Sequence, residues 1–204
     1  MHKVIILGCG NIGFTVALLL QNSKKYDVTV VARNKKRLLF VKKVTHVKII
    51  QADIEAIEVY ENILKGYDSV ISALPYYLNV IVAKQALFHS LNYFDFTEDV
   101  KTTKSIKKIA KNAKPNQVFI PQCGLAPGFI SILAYDLYQK FEQVYSIKMR
   151  VGALPQNPSN KILYNLTWST DGLINEYSNN CFAIKDSKRV KILPLEGLEK
   201  FSLD

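Results

Sequence analysis

The chain has 204 residues, 49% of them hydrophobic and 22% charged, enough to bury a core without staples in one large domain or in one domain and part of another. No stretch approaches the ~18 apolar residues of a membrane span, and Met1-His2-Lys3 runs straight into a strand pattern with no secretory leader, so a cytoplasmic protein without a membrane partner is expected. The 27 basic residues exceed the 17 acidic ones by a net +10, but lysines spread over helix faces (Lys101, Lys104, Lys107, Lys108, Lys111) carry most of the excess, and without interleaved aromatics to stack bases no nucleic-acid partner is expected.

Val4 to Leu7 reads as a fully buried strand, and it runs into Gly8-Cys9-Gly10-Asn11-Ile12-Gly13. Apolar positions then recur at helical spacing through Val16, Leu19 and Leu20. Strand, Gly-x-Gly-x-x-Gly, helix is the setting of a dinucleotide site. Gly8 lets the chain turn, Gly10 lets backbone approach a pyrophosphate, and Gly13 lets the helix lie against the sheet. Asn11 and Ile12 open the helix, whose free N–H groups face the anion.

A second strand, Asp27 to Ala32, ends in Arg33-Asn34-Lys35-Lys36-Arg37, four cations in five residues and no carboxylate. Arg33 and Asn34 therefore point to a 2′-phosphate, and to NADP(H) over NAD(H). A helix is predicted over 35–43 and a strand over 47–53. Asp53, past its end, either caps the next helix or lies near adenine. A helix over 55–65 precedes a strand over 68–75, whose exit, Ala73-Leu74-Pro75, is placed to line the nicotinamide half of the cofactor. A helix over 77–90, a strand over 92–95, a basic helix ending near Ala113 and a strand over 117–120 follow.

This alternation predicts an α/β fold, a Rossmann-type doubly wound parallel sheet, over residues 1–123. Beyond a Gly/Pro-rich loop, Pro121 to Gly128, a helix is expected over 129–140. Strands are expected over 144–151, 161–169, 181–184 and 189–193. Residues 124–204 thus read as the start of an incomplete antiparallel α+β domain. Cys9, Cys123 and Cys181 are odd in number and scattered, as are His2, His46 and His89, so neither a disulfide framework nor a metal site is expected.

The chain resembles the saccharopine dehydrogenase family, which includes saccharopine reductases and lysine 6-dehydrogenase-like proteins. The features that carry the resemblance are the N-terminal Gly8–Gly13 loop, the strand ending Ala73-Leu74-Pro75, Asp95-Phe96-Thr97-Glu98-Asp99, Gly124-Leu125-Ala126-Pro127-Gly128, and Trp168-Ser169 followed by Gly172-Leu173 and Glu176-Tyr177. The resemblance implies hydride transfer at a C–N bond beside a carboxylate, with an amino acid or its secondary amine as substrate. Members of the family are typically longer, with a second domain that continues further. A half-built antiparallel domain predicts a homo-oligomer or a partner chain through residues 124–204.

A proton must reach or leave the substrate nitrogen, and the candidates are Tyr93, Asp95, Glu98 and Asp99. Glu98 and Asp99 read equally as first-turn acids of the following helix. Gly124, Pro127 and Gly128 would shape a loop over the cofactor whose amides hold a substrate carboxylate, with Trp168 and Ser169 lining the substrate side. Trp168 reads equally as core, and Cys123 as a small buried thiol. The alternative to an oxidoreductase is a non-catalytic NADPH-binding protein or one half of a heteromer.

Overall fold

A computed structural model of the chain describes residues 1–152, 156–157, 170–197 and 199. The chain divides into two compact units, Met1–Asn165 and Leu166–Asp204. The first holds strands β1 (His2–Leu7), β2 (Tyr26–Ala32), β3 (Lys48–Gln51), β4 (Ser69–Ser72), β5 (Asn92–Asp95) and β6 (Phe119–Ile120). Between them run α1 (Asn11–Asn22), α2 (Lys35–Thr45), α3 (Val59–Leu64), α4 (Tyr76–Phe88) and α5 (Val100–Ala110), and α6 (Phe129–Tyr138) follows. All six strands are parallel, in the order β3-β2-β1-β4-β5-β6. This is the expected doubly wound sheet, and its order reverses between β1 and β4, where such sheets bind their ligands.

The continuous apolar runs follow from burial on both faces. Along β1, Val4 and Ile6 point to one side, where Ala17 of α1 and Leu38 and Val41 of α2 pack on them. Ile5 and Leu7 point to the other, against Tyr60 of α3, Val82 and Ala86 of α4, and Ile106 of α5. Polar residues set the helix ends. Asn34 caps α2 by accepting from Arg37 N at 3.0 Å, and His46, left-handed at φ 59°, closes it. Asp99 caps α5 by accepting from Thr102 N at 2.6 Å. Lys42 and Lys43 in α2, and Lys107 and Lys108 in α5, sit in last turns that favour cations.

Three expectations change. The helix after β3 begins only at Val59, and Asp53 instead forms a local turn, accepting from Glu55 N at 3.1 Å. Strand β6 is two residues long. Residues 144–151 form no strand, because among the described residues no neighbour pairs with them; alternation alone supplies no ladder partner. The strand expected over 161–169, with Trp168 and Ser169, lies outside the described residues. The second unit contains α7 (Thr170–Ser178) and an antiparallel hairpin of β7 (Cys181–Lys185) and β8 (Lys188–Ile192). Its turn residues, Asp186 and Ser187, both have positive φ, which matches strand twist in a two-residue hairpin loop. Among the described residues no helix is long and apolar enough to cross a membrane.

Asp99 is the one side-chain cap of α5, so Asp99→Ala is expected to lower stability by about 1 kcal/mol, and Asp99→Asn by much less. Urea unfolding of the two variants checks this; equal losses would mean the cap is not what Asp99 supplies.

Candidate cofactor site

The glycine loop owes its shape to two close approaches. Gly8 has φ +105°, and a Cβ there would lie 2.5 Å from the Ala73 carbonyl oxygen. A Cβ on Gly13 would strike the Gly8 carbonyl oxygen and press on the Ala73 side chain at 3.3 Å. These two glycines therefore seat α1 against the exits of β1 and β4. Gly10 differs from both. Its φ of −65° suits any residue, and a Cβ there would meet nothing within 4 Å. No packing within the fold requires glycine at this position. The first-turn amides of α1 lack intrahelical acceptors, as in any helix, and they open onto the same space.

Gly8, Arg33, Asn34, Asp53, Leu74 and Pro75 line one cavity of about 200 Å³. Six of the residues expected to hold the cofactor thus meet. Ala73 lies beside it, with its amide bonded to the Leu7 carbonyl at 2.8 Å. Asn11 and Ile12 form the first turn of α1. The end of β2 is not free of carboxylates, as the sequence reading held. Arg33 Nη1 lies 3.1 Å from Glu55 and 3.9 Å from Asp53. Parallel pairing of Ala32 with Gln51 leaves the two strand exits side by side, so the β3 exit brings its acids to the β2 exit. That register is the signal that would have found Glu55. Arg37 was read only as part of the basic run, yet its Nε donates to the Cys9 carbonyl at 3.0 Å.

The acid/base candidates separate. Asp95 is fully buried, and its carboxylate accepts from Tyr93 Oη at 2.6 Å, Thr97 N at 2.9 Å and Gln122 N at 3.0 Å. Its backbone carbonyl accepts from Cys123 N at 2.7 Å. Burial pushes the Asp95 carboxyl above the usual range, against the pull of these donors, and burial beside Asp95 keeps the Tyr93 hydroxyl protonated. Burial, and then the nearby Asp95 charge, also push the Cys123 thiol up. Asp99 is instead committed to its cap, and Glu98 is half-buried. The Gly124–Gly128 loop closes on itself. Phe129 N and Ile130 N donate to the carbonyls of Gly124 and Leu125, and at Gly128 (φ +139°) any side chain would strike the Gly124 carbonyl. Pro127, between them, follows a cis peptide bond. Among the described residues no group of three His, Cys, Asp or Glu side chains is placed to hold a metal.

Two family models match. Residues 4–120 match the saccharopine dehydrogenase NADP binding domain, and residues 124–202 the saccharopine dehydrogenase C-terminal domain. The chain is 22% identical over 199 residues to saccharopine dehydrogenase (NADP(+), L-glutamate-forming) of Schizosaccharomyces pombe, covering 94% of this chain and 44% of that protein. It is 25% identical over 179 residues to the mitochondrial alpha-aminoadipic semialdehyde synthase of Bos taurus, covering 84% of this chain and 19% of that one. Among solved structures, apo saccharopine dehydrogenase (L-Glu forming) from Saccharomyces cerevisiae superposes with a TM-score of 0.71 at 20% identity, over 95% of this chain and 44% of that one. Myo-inositol 2-dehydrogenase from Lactobacillus plantarum gives 0.53 at 19% identity, over 68% of this chain and 40% of that one. The chain spans less than half the length of these relatives. At such identities the structural likenesses establish the fold alone.

Asp95→Ala would strand the amides of Thr97 and Gln122 and leave the Tyr93 hydroxyl only the Asn79 carbonyl at 3.3 Å, and a loss of about 2–4 kcal/mol is expected. Asp95→Asn, which can keep all three contacts, is expected to cost far less. Because folding raises the Asp95 pKa, the native state keeps a proton that the unfolded chain has released. Its contribution is therefore fully present below the ordinary value of 3.8 and is lost as pH rises through the raised folded value. Urea midpoints measured across that window should fall with pH less steeply in Asp95→Asn than in the parent chain; parallel curves would refute the assignment.

Proposed function

Because this chain belongs to the saccharopine dehydrogenase family, with that family's NADP binding domain over residues 4–120 and its C-terminal domain over 124–202, we propose that it is an NADP(H)-dependent oxidoreductase acting on the C–N bond of an amino acid or its secondary amine. The observation that carries the reading is Gly10, a glycine with an ordinary φ and open space where its Cβ would be. When bound, the nicotinamide supplies the hydride chemistry, and the protein supplies binding, orientation and proton handling.

In this reading the loop amides around Gly10, with Asn11 and Ile12, hold the pyrophosphate. Arg33 and Asn34 take the 2′-phosphate, with Asp53 near the adenine, and Ala73, Leu74 and Pro75 form the wall beyond. The side chain of Arg33 is 64% exposed, so its pair with Glu55 is weak and a dianionic phosphate can draw it away. Tyr93 and Asp95 serve as the proton-holding pair on the substrate side, since desolvation favours their protonated forms. Asp99, the third acid/base candidate of the sequence reading, contributes through α5. Gly124, Pro127 and Gly128 shape the loop that follows the amides held by Asp95. We take the domain boundary at 123/124, where the two family matches part.

A second reading, that this chain works with another copy or with a partner chain, is favoured by α6. Phe129, Ile132 and Tyr135 of that helix are 58%, 69% and 62% exposed, more apolar surface than a helix normally leaves in water. The non-catalytic NADPH-binding half of a heteromer is the form of this reading without turnover.

Titration of the full chain with NADPH and with NADH, followed by cofactor fluorescence, tests the first reading. NADPH is expected to bind about tenfold or more tighter, and Arg33→Ala to remove that preference. Gly10→Ala is expected to keep the parent melting temperature while losing both dinucleotides; retained binding would overturn the site. For the second reading, light scattering of the purified chain is expected to give a mass above 23.1 kDa. A strictly monomeric chain would refute self-pairing.

A further inference from the structure

We propose that Arg37 is the positioning residue of the glycine loop, an inference that rests on the cofactor reading above: it fixes the direction in which the loop's amides face the pyrophosphate. Arg37 lies in the first turn of α2. Its Nε donates to the Cys9 carbonyl at 3.0 Å and its Nη2 to Asn11 Oδ1 at 3.3 Å. The guanidinium carbon lies 5.8 Å from the ring centre of Phe14, on α1, and 5.1 Å from that of Phe40, on α2. The two rings are themselves in contact, with centres 5.6 Å apart. Among the described residues no carboxylate lies within salt-bridge distance of Arg37, whereas Arg33 is paired with Glu55. The two arginines of one basic run therefore do different work.

The physical link is the peptide plane. A trans peptide points its carbonyl and its N–H in opposite directions. Holding the Cys9 oxygen on the α2 side turns the Gly10 N–H away from α2. Gly10 carries no side chain that would restrain this peptide, and a free glycine segment loses conformational entropy when a ligand orders it. Arg37 restrains the loop in advance, through a two-pronged contact that a lysine ammonium cannot reproduce. The part of the cofactor served in this way is shared by NADPH and NADH. Arg33, by contrast, meets only the 2′-phosphate.

The test compares the dissociation constants of NADPH and NADH for the full chain, Arg37→Met, Arg37→Lys and Arg33→Ala, with melting temperatures measured alongside. Methionine keeps an unbranched side chain against Phe14 and Phe40 and removes the donors. The expected result is that Arg37→Met weakens both dinucleotides by the same factor, about tenfold, and leaves their ratio unchanged. Arg37→Lys recovers little of that loss, while Arg33→Ala shifts the ratio. Full recovery with lysine would mean that charge alone acts, and would overturn the proposal. A changed ratio in Arg37→Met would make Arg37 a 2′-phosphate ligand instead, and a lowered melting temperature with unchanged affinities would make it merely structural; either result overturns it. If the parent chain binds neither dinucleotide, the cofactor reading itself fails, which is distinct from a parent that binds and an Arg37→Met that binds equally well.

Discussion

The contact on which the rest depends is that of α1 with the exits of β1 and β4. Gly13 lies so close to the Gly8 carbonyl that no side chain fits between them, and Gly8 turns with a φ open mainly to glycine. A larger residue at either place would lift α1 from the sheet. The first-turn amides would then leave the crevice where the strand order reverses. The third glycine has a different character. Gly8 and Gly13 are required by the packing of the fold, whereas at Gly10 the fold imposes no such requirement. Within one six-residue motif, packing therefore fixes two of the three glycines and leaves the third unconstrained.

A second constraint holds the far side of the crevice. Asp95 ends β5, and its carboxylate bonds the amide of Gln122, beyond β6. Strand β6 pairs through two residues only, too few to fix the chain that follows. The buried carboxylate takes over that task, aided by the Cys123 amide on its backbone carbonyl. Burial of a carboxylate is costly, and here three donors offset part of the cost. Burial outweighs those donors, so the Asp95 carboxyl stays above its ordinary range.

Much of this was legible in the sequence, and the limits have physical causes. The sheet was readable because each strand is buried on both faces, so strand identity is written in short continuous apolar runs. The glycine loop was readable because its geometry tolerates few residues. Asp99 was readable as an acid at the start of α5, because its carboxylate acts within a local segment, on an amide three residues on. What escaped was non-local. Glu55 reaches Arg33 only because β2 and β3 are parallel neighbours in one register. Arg37 reaches Cys9 across 28 positions of sequence. Likewise, alternation over 144–151 carried no information about whether a partner strand exists.

The charges at the end of β2 then make sense together. The sequence shows four cations in a row of five and invites a single electrostatic reading. In the fold that run divides. Arg33 lies over the acids of the β3 exit, exposed and weakly held, so it can change partner at little cost. Arg37 is held by two hydrogen bonds and two aromatic faces, so moving it would break several contacts at once. A movable cation suits a group that distinguishes one cofactor from another, because its energy is realised only when the extra phosphate arrives. A fixed cation suits a part of the site that every dinucleotide uses, because the restraint is already in place before binding. The same residue type, four positions apart, is thus set to two tasks by how firmly its surroundings hold it.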